Sequence, residues 1–201
     1  MGKYIKKFAT HSQYESYING SDAYLPNVST CDDQPTHVHY NPYVEPVGVD
    51  KLTVTYDVIT TEEDTALFDS YYGSSIVGVE IDGVELSTVQ NTYRFNTIGE
   101  HTVKYTLHDP SSISANCFRP DGTALRITKY SIPEEITSIE YDALQTSLNS
   151  FDIVVYSNTP PEIAYSIGHE SDINKIYVPA ESVDIYKAEW SRFADKIVAI
   201  P

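Results

Sequence analysis

Over residues 52 to 107, apolar and polar residues alternate in the short runs LTVTYDV, SIVGVEI, TYRFN and HTVKYTL, separated by turn formers. A period of two sends successive side chains to opposite faces, so each run predicts a half-buried strand. In HTVKYTL, Val103, Tyr105 and Leu107 fall on one face and Thr102, Lys104 and Thr106 on the other. Asp82-Gly83, between VEI and VEL, predicts a two-residue type I′ hairpin, because both central positions of that turn need positive φ. Ile98-Gly99-Glu100 predicts the turn before the last strand. Short strands at this spacing predict an immunoglobulin-like β-sandwich over residues 46–108.

The pattern differs on either side. YIKKF, residues 4 to 8, alternates as a strand would. Thr10 with Gln13 then forms a capping box for a short helix carrying Tyr14, Tyr17 and Ile18 on one face, with Gly20 at its end. Residues 21 to 41 are polar and turn-rich, and Pro42, Pro46 and Gly48 follow. Residues 1–45 are therefore expected to be an extended attachment segment that docks by strand addition and by burying Tyr14, Tyr17, Ile18 and Tyr24.

After His108, LHDPSSISANCF resembles IPEEITSIEYDAL, with Ile113 and Ile139 26 residues apart, and FDIVVYSNTPPEI is a third partial copy. That spacing lies in the range of leucine-rich-type repeats, in which each coil buries its apolar face against the next. Residues 109–201 are expected to be a short leucine-rich-repeat-like module. Pro179 opens its final helix, where Val183, Tyr186, Trp190 and Phe193 form one stripe suited to a terminal cap.

IYVPAESVDIYKAEWSRFADKIVAIP resembles the terminal motif of BspA-like leucine-rich-repeat proteins of gut Bacteroidales and their phages. IPEEITSIEYDAL is similar to that family's repeat, although Leu144 stands where the repeat carries an aromatic and only two to three copies are present. KYIKKFATHSQYESYINGSDAYLPNVSTCDDQPTHVHYNPY resembles a leader found in structural proteins of Bacteroides and crAss-like phages. These resemblances imply surface display, adhesion or virion structure, and no chemistry.

Composition narrows the choice. The 201 residues are 41% hydrophobic and 21% charged, as in a folded protein. Thirteen Lys and Arg against 29 Asp and Glu give a net charge of −16, which repels nucleic acids and anionic membranes. The 17 tyrosines suit contact surfaces. Lys-rich MGKYIKKFATHSQY has no apolar stretch behind it, so neither a signal peptide nor a membrane span is expected.

Candidate chemistry is sparse. Cys31 and Cys117 are far apart and read as two inert thiols. His37 and His39, near Cys31, Asp32 and Asp33, read as solvated or partner-packed and not as a metal site. Glu62-Glu63-Asp64 resembles a helix N-terminus, favoured there by the helix dipole. No nucleophile stands with a base and no phosphate-binding loop occurs, so neither enzyme activity nor a cofactor is expected.

The expected function is a non-enzymatic bacteriophage virion structural protein. It would be a head decoration or head-fibre component, homo-oligomeric, assembled in the host cytoplasm on other virion proteins, and able to contact a surface glycan or protein. The alternative is a BspA-like adhesin of the bacterial cell surface.

Overall fold

The run LTVTYDV forms strand β1, Leu52–Val58, and two different sets of strands meet on it. The computed structural model describes residues 51–69, 71–118, 124–144 and 149–201, all within one unit, Gly48–Pro201. The further strands are β2 Thr65–Ala66, β3 Ile76–Ile81, β4 Val84–Glu85, β5 Thr92–Tyr93, β6 Gly99–Leu107 and β7 Ser112–Ile113. They continue with β8 Leu125–Ile132, β9 Ser138–Ile139, β10 Phe151–Val155, β11 Glu162–Ile163, β12 Ile173–Val178 and β13 Ile197–Ala199. The single described α-helix, α1, spans Val183–Glu189.

Eight strands form one mixed sheet in the order β4-β3-β6-β1-β8-β10-β12-β13. The side β4-β3-β6-β1-β8 is antiparallel, with Val54 facing Val103 and Tyr130. From β8 to β13 every pairing is parallel. The predicted hairpin joins β3 to β4: Asp82 and Gly83 both have positive φ, and Ile81 faces Val84. Val103, Tyr105 and Leu107 are buried while Thr102, Lys104 and Thr106 are half-buried, as the alternation predicts.

The parallel side is a coil. Tyr130, Ile153, Ile176 and Ile197 stand side by side on four adjacent strands, 23, 23 and 21 residues apart. Between them the chain returns through a second, three-stranded parallel sheet, β7-β9-β11, in which Ile113 faces Ile139 and Ile139 faces Ile163. The 26-residue self-similarity is thus one step of a coil, each copy hydrogen-bonded to its counterpart. Buried Ile113, Ile139, Ile153 and Ile176 face into a shared core.

Two modules dividing at residue 108 are not what forms. β1 pairs with β6 on one side and with β8 on the other, so one sheet crosses the expected boundary. The core crosses with it: Phe68, Tyr105, Phe118, Tyr130 and Phe151 make successive edge-on ring contacts with centroids 4.9 to 6.1 Å apart. A bulge makes the junction fit. Thr55 faces Lys129 and Tyr56 faces Ile127, leaving Thr128 to donate its hydroxyl to Thr55 O at 3.2 Å. The extra residue shifts the alternation by one, so that Ile127 and Tyr130 both reach the core.

Three further expectations change. TYRFN supplies only the two residues of β5, paired with β2 in a small separate sheet. Residues 61–63 form a bend and no helix, and Asp64 instead pairs with Arg94 at 2.8 Å. The C-terminal stripe is not one helix: α1 stops at Glu189, Trp190 turns out of it with ψ 46°, and a 3-10 turn, Ser191–Phe193, leads to β13.

Candidate functional surface

Tyr14, Tyr17, Ile18 and Tyr24, expected to dock on a partner, lie outside the described residues, as do Cys31, Asp32, Asp33, His37 and His39. Cys117 is fully buried, and burial pushes its thiol pKa up to about 12, which leaves little thiolate at neutral pH. Among the described residues no group of three or more His, Cys, Asp and Glu is placed to hold a metal ion, and no helix is long and apolar enough to cross a membrane.

The stripe on α1 does act at the end of the coil, partly through hydrogen bonds. The Tyr186 hydroxyl donates to Ser157 O at 2.8 Å and approaches Thr159 O at 3.4 Å, and Trp190 Nε1–H donates to Pro161 O at 3.0 Å. Residues 157, 159 and 161 lie in the bend between β10 and β11, where the Ser157 hydroxyl also donates to Thr159 O at 2.8 Å. Two aromatic side chains thus satisfy backbone carbonyls of the last bend before β11. Their rings pack edge-on at 5.1 Å, and Trp190 is only 5% exposed. Lys196 Nζ donates to Glu170 O and Ile173 O, both at 2.6 Å, fastening the approach to β13.

Two polar clusters stand in the antiparallel half. Deep in the core, the Tyr56 and Tyr105 hydroxyls lie 2.7 Å apart and both reach Leu67 O. Burial raises both phenol pKa values, so the pair stays neutral and acts as structural donors. At the β3–β4 turn, His101 Nδ1–H donates to Asp82 Oδ2 at 2.6 Å, while Nε2 lies 3.0 Å from Thr97 O and 3.1 Å from Thr97 Oγ1. Thr102 N–H donates to Asp82 Oδ1 at 2.9 Å. Burial pushes the Asp82 carboxyl up, but the hydrogen bonds from His101 and Thr102 and the His101 charge outweigh it and hold its pKa below the ordinary value. Though Asp, His and Thr line up as a base and hydroxyl might, the imidazole also meets the carbonyl of the same threonine. The cluster ties two turns together.

The outer surface of the coil carries a different feature. Ala115, Tyr141 and Tyr165 stand two residues after the paired isoleucines Ile113, Ile139 and Ile163. The turn is held open by Asn116 and Asp142, both with φ near +50° at equivalent positions, and by Asn116 N–H to Tyr141 O and Asp142 N–H to Ser166 O. The coil therefore brings Tyr141 and Tyr165 together on its outside, 48% and 79% exposed, with ring centroids 5.9 Å apart and planes inclined by 45°. The neighbouring Asp142 carboxylate raises the Tyr141 phenol pKa above its ordinary value. Sequence reasoning missed the pair. Aligning IEYDAL with IAYSIG puts the two tyrosines in one column, a signal visible only once the repeat is carried into its third copy.

No protein-family model and no curated protein matches the chain. Its function rests on the residues themselves.

Proposed function

We propose that this protein is a non-enzymatic virion component, a head decoration or head-fibre module that assembles on other virion proteins and holds a β body outward for contact. The antiparallel half of the sheet is read as its immunoglobulin-like part and the coil as a short leucine-rich-repeat-like part. The observation that carries the reading is the closed coil. Tyr186 and Trp190 hydrogen-bond the carbonyls of Ser157 and Pro161 beside β11, so that side of the coil ends on aromatic side chains and serves as one unit present in many copies. Many copies on one particle turn weak contacts into avidity. The leader's resemblance to phage structural proteins supplies the location, and the BspA-like terminal motif supplies the theme of surface contact.

Immunogold labelling with an antibody against residues 48–201 tests the reading, using phage particles from a lysate of the bacterium that carries this sequence. Gold on the heads of intact particles is the expected result. Gold on the bacterial envelope, with none on particles, would establish the adhesin instead.

A further inference from the structure

The outward face of the three-stranded sheet β7-β9-β11 and its turn differs in chemistry from the rest of the surface. From Tyr130 to Gly168 the chain has six Asp and Glu and no Lys, Arg or His. On this face, exposed Glu162 continues the row Ser112–Ser138, and exposed Glu140 lies beside Tyr141. Among the described residues Glu140 Oε2 accepts only a long contact, 3.4 Å, from Ala115 N–H, and no residue of the strands β7, β9 and β11 is basic. Three acidic groups elsewhere on the molecule do have a basic partner: Glu80 beside Lys51 and Lys104, Asp64 beside Arg94, and Glu170 beside Arg192.

We propose that this face docks a basic, extended peptide segment of a partner protein, with arginines at positions i and i+2 laid over Tyr141 and Tyr165. A guanidinium stacks on a phenol face and accepts a carboxylate at its edge, and here each ring is exposed with a carboxylate close by in sequence. In an extended peptide, side chains at i and i+2 are separated by about 6.5 Å, close to twice the rise per residue. That matches the 5.9 Å between the ring centroids. Two neutral side chains could stack on the same rings, but only a cation also pairs with the carboxylates of Glu140 and Glu162. Charge therefore selects a basic peptide over a neutral glycan. This assignment is independent of whether the protein resides on a virion or a cell.

Fluorescence anisotropy with a labelled Gly-Ser-Arg-Ser-Arg-Ser-Gly peptide and the full chain tests it. The wild type should bind the peptide, bind a Gln-for-Arg peptide at least tenfold more weakly, and release the Arg peptide as salt is raised to about 0.5 M. Y141A/Y165A and E140Q/E162Q should each lose at least tenfold. E62Q/E63Q, which removes two exposed charges from a distant bend, should bind as wild type does. All four side chains are surface groups, and unchanged circular dichroism confirms that the variants are folded. Equal loss in E62Q/E63Q would reduce the effect to general charge attraction and overturn the proposal. So would no binding at millimolar peptide. Tyrosine-dependent capture of a neutral oligosaccharide that E140Q/E162Q leaves intact would also overturn it, in favour of a sugar platform.

Discussion

At the residue scale, stability is concentrated in aromatic side chains that both fill space and donate hydrogen bonds. Trp190 combines burial with an N–H to Pro161 O, so Trp190→Ala should cost about 3 to 5 kcal/mol, a large part of the roughly 5 to 15 kcal/mol that holds a domain together. Trp190→Phe keeps most of the packing and should fall between. Thermal melting ranks the two. Because this is the only tryptophan, wild-type emission should be blue-shifted from that of a water-exposed indole and should shift red on unfolding. A water-exposed emission maximum, or an undiminished melting temperature in Trp190→Ala, would remove the cap. The buried tyrosines should separate in the same assay. Tyr56→Phe loses hydrogen bonds to Leu67 O and Tyr105 and should cost about 1 kcal/mol, whereas the Tyr130 hydroxyl has no partner among the described residues and Tyr130→Phe should be neutral or stabilising.

At the element scale, the turns decide how strands are joined. Asp82 has its pKa held below its ordinary 3.8, so the folded state favours the carboxylate. Its contribution is fully present above that value and is lost as pH falls through the lowered folded pKa. Asp82→Asn should therefore lower stability at pH 7 and flatten the decline below about pH 4, measured as denaturation midpoints across pH. A variant that keeps the wild-type acid slope would show that the His101 pair does not hold the turn. The coil turns follow a different rule. Asn116 sits at φ 51°, a left-handed backbone that Asn and Gly tolerate and β-branched residues do not. Asn116→Gly should be close to neutral and Asn116→Val should cost roughly 1 to 2 kcal/mol, read from urea midpoints.

At the scale of the whole molecule, one sheet and one chain of aromatic rings link the antiparallel half to the coil. Residues 48–201 should unfold in a single transition seen alike by tryptophan fluorescence in the coil and by far-ultraviolet circular dichroism. Separately expressed 48–108 and 109–201 should both fail to fold, since the first loses β8 and the second loses β1 from the middle of the sheet. Two independent transitions, or a folded fragment, would restore a boundary near His108.

Local patterns were legible in the sequence wherever the cause is local. Alternation in HTVKYTL fixed which side chains face inward, Asp82-Gly83 fixed a hairpin through its positive φ, and the Ile113 to Ile139 spacing marked one step of a coil. The stripe through Trp190 marked the cap, although the helix ends one residue earlier. What only the tertiary structure decided was which strands become neighbours. A period of two says which face of β1 is buried but not which backbone its outer edge will meet, because hydrogen bonds between strands are indifferent to sequence distance. β1 therefore joins β8, 73 residues away from Thr55 to Thr128, and two expected modules become one sheet. The tyrosine face was hidden for the same reason: Tyr141 and Tyr165 are remote along the chain and become a pair only when parallel coils stack in register.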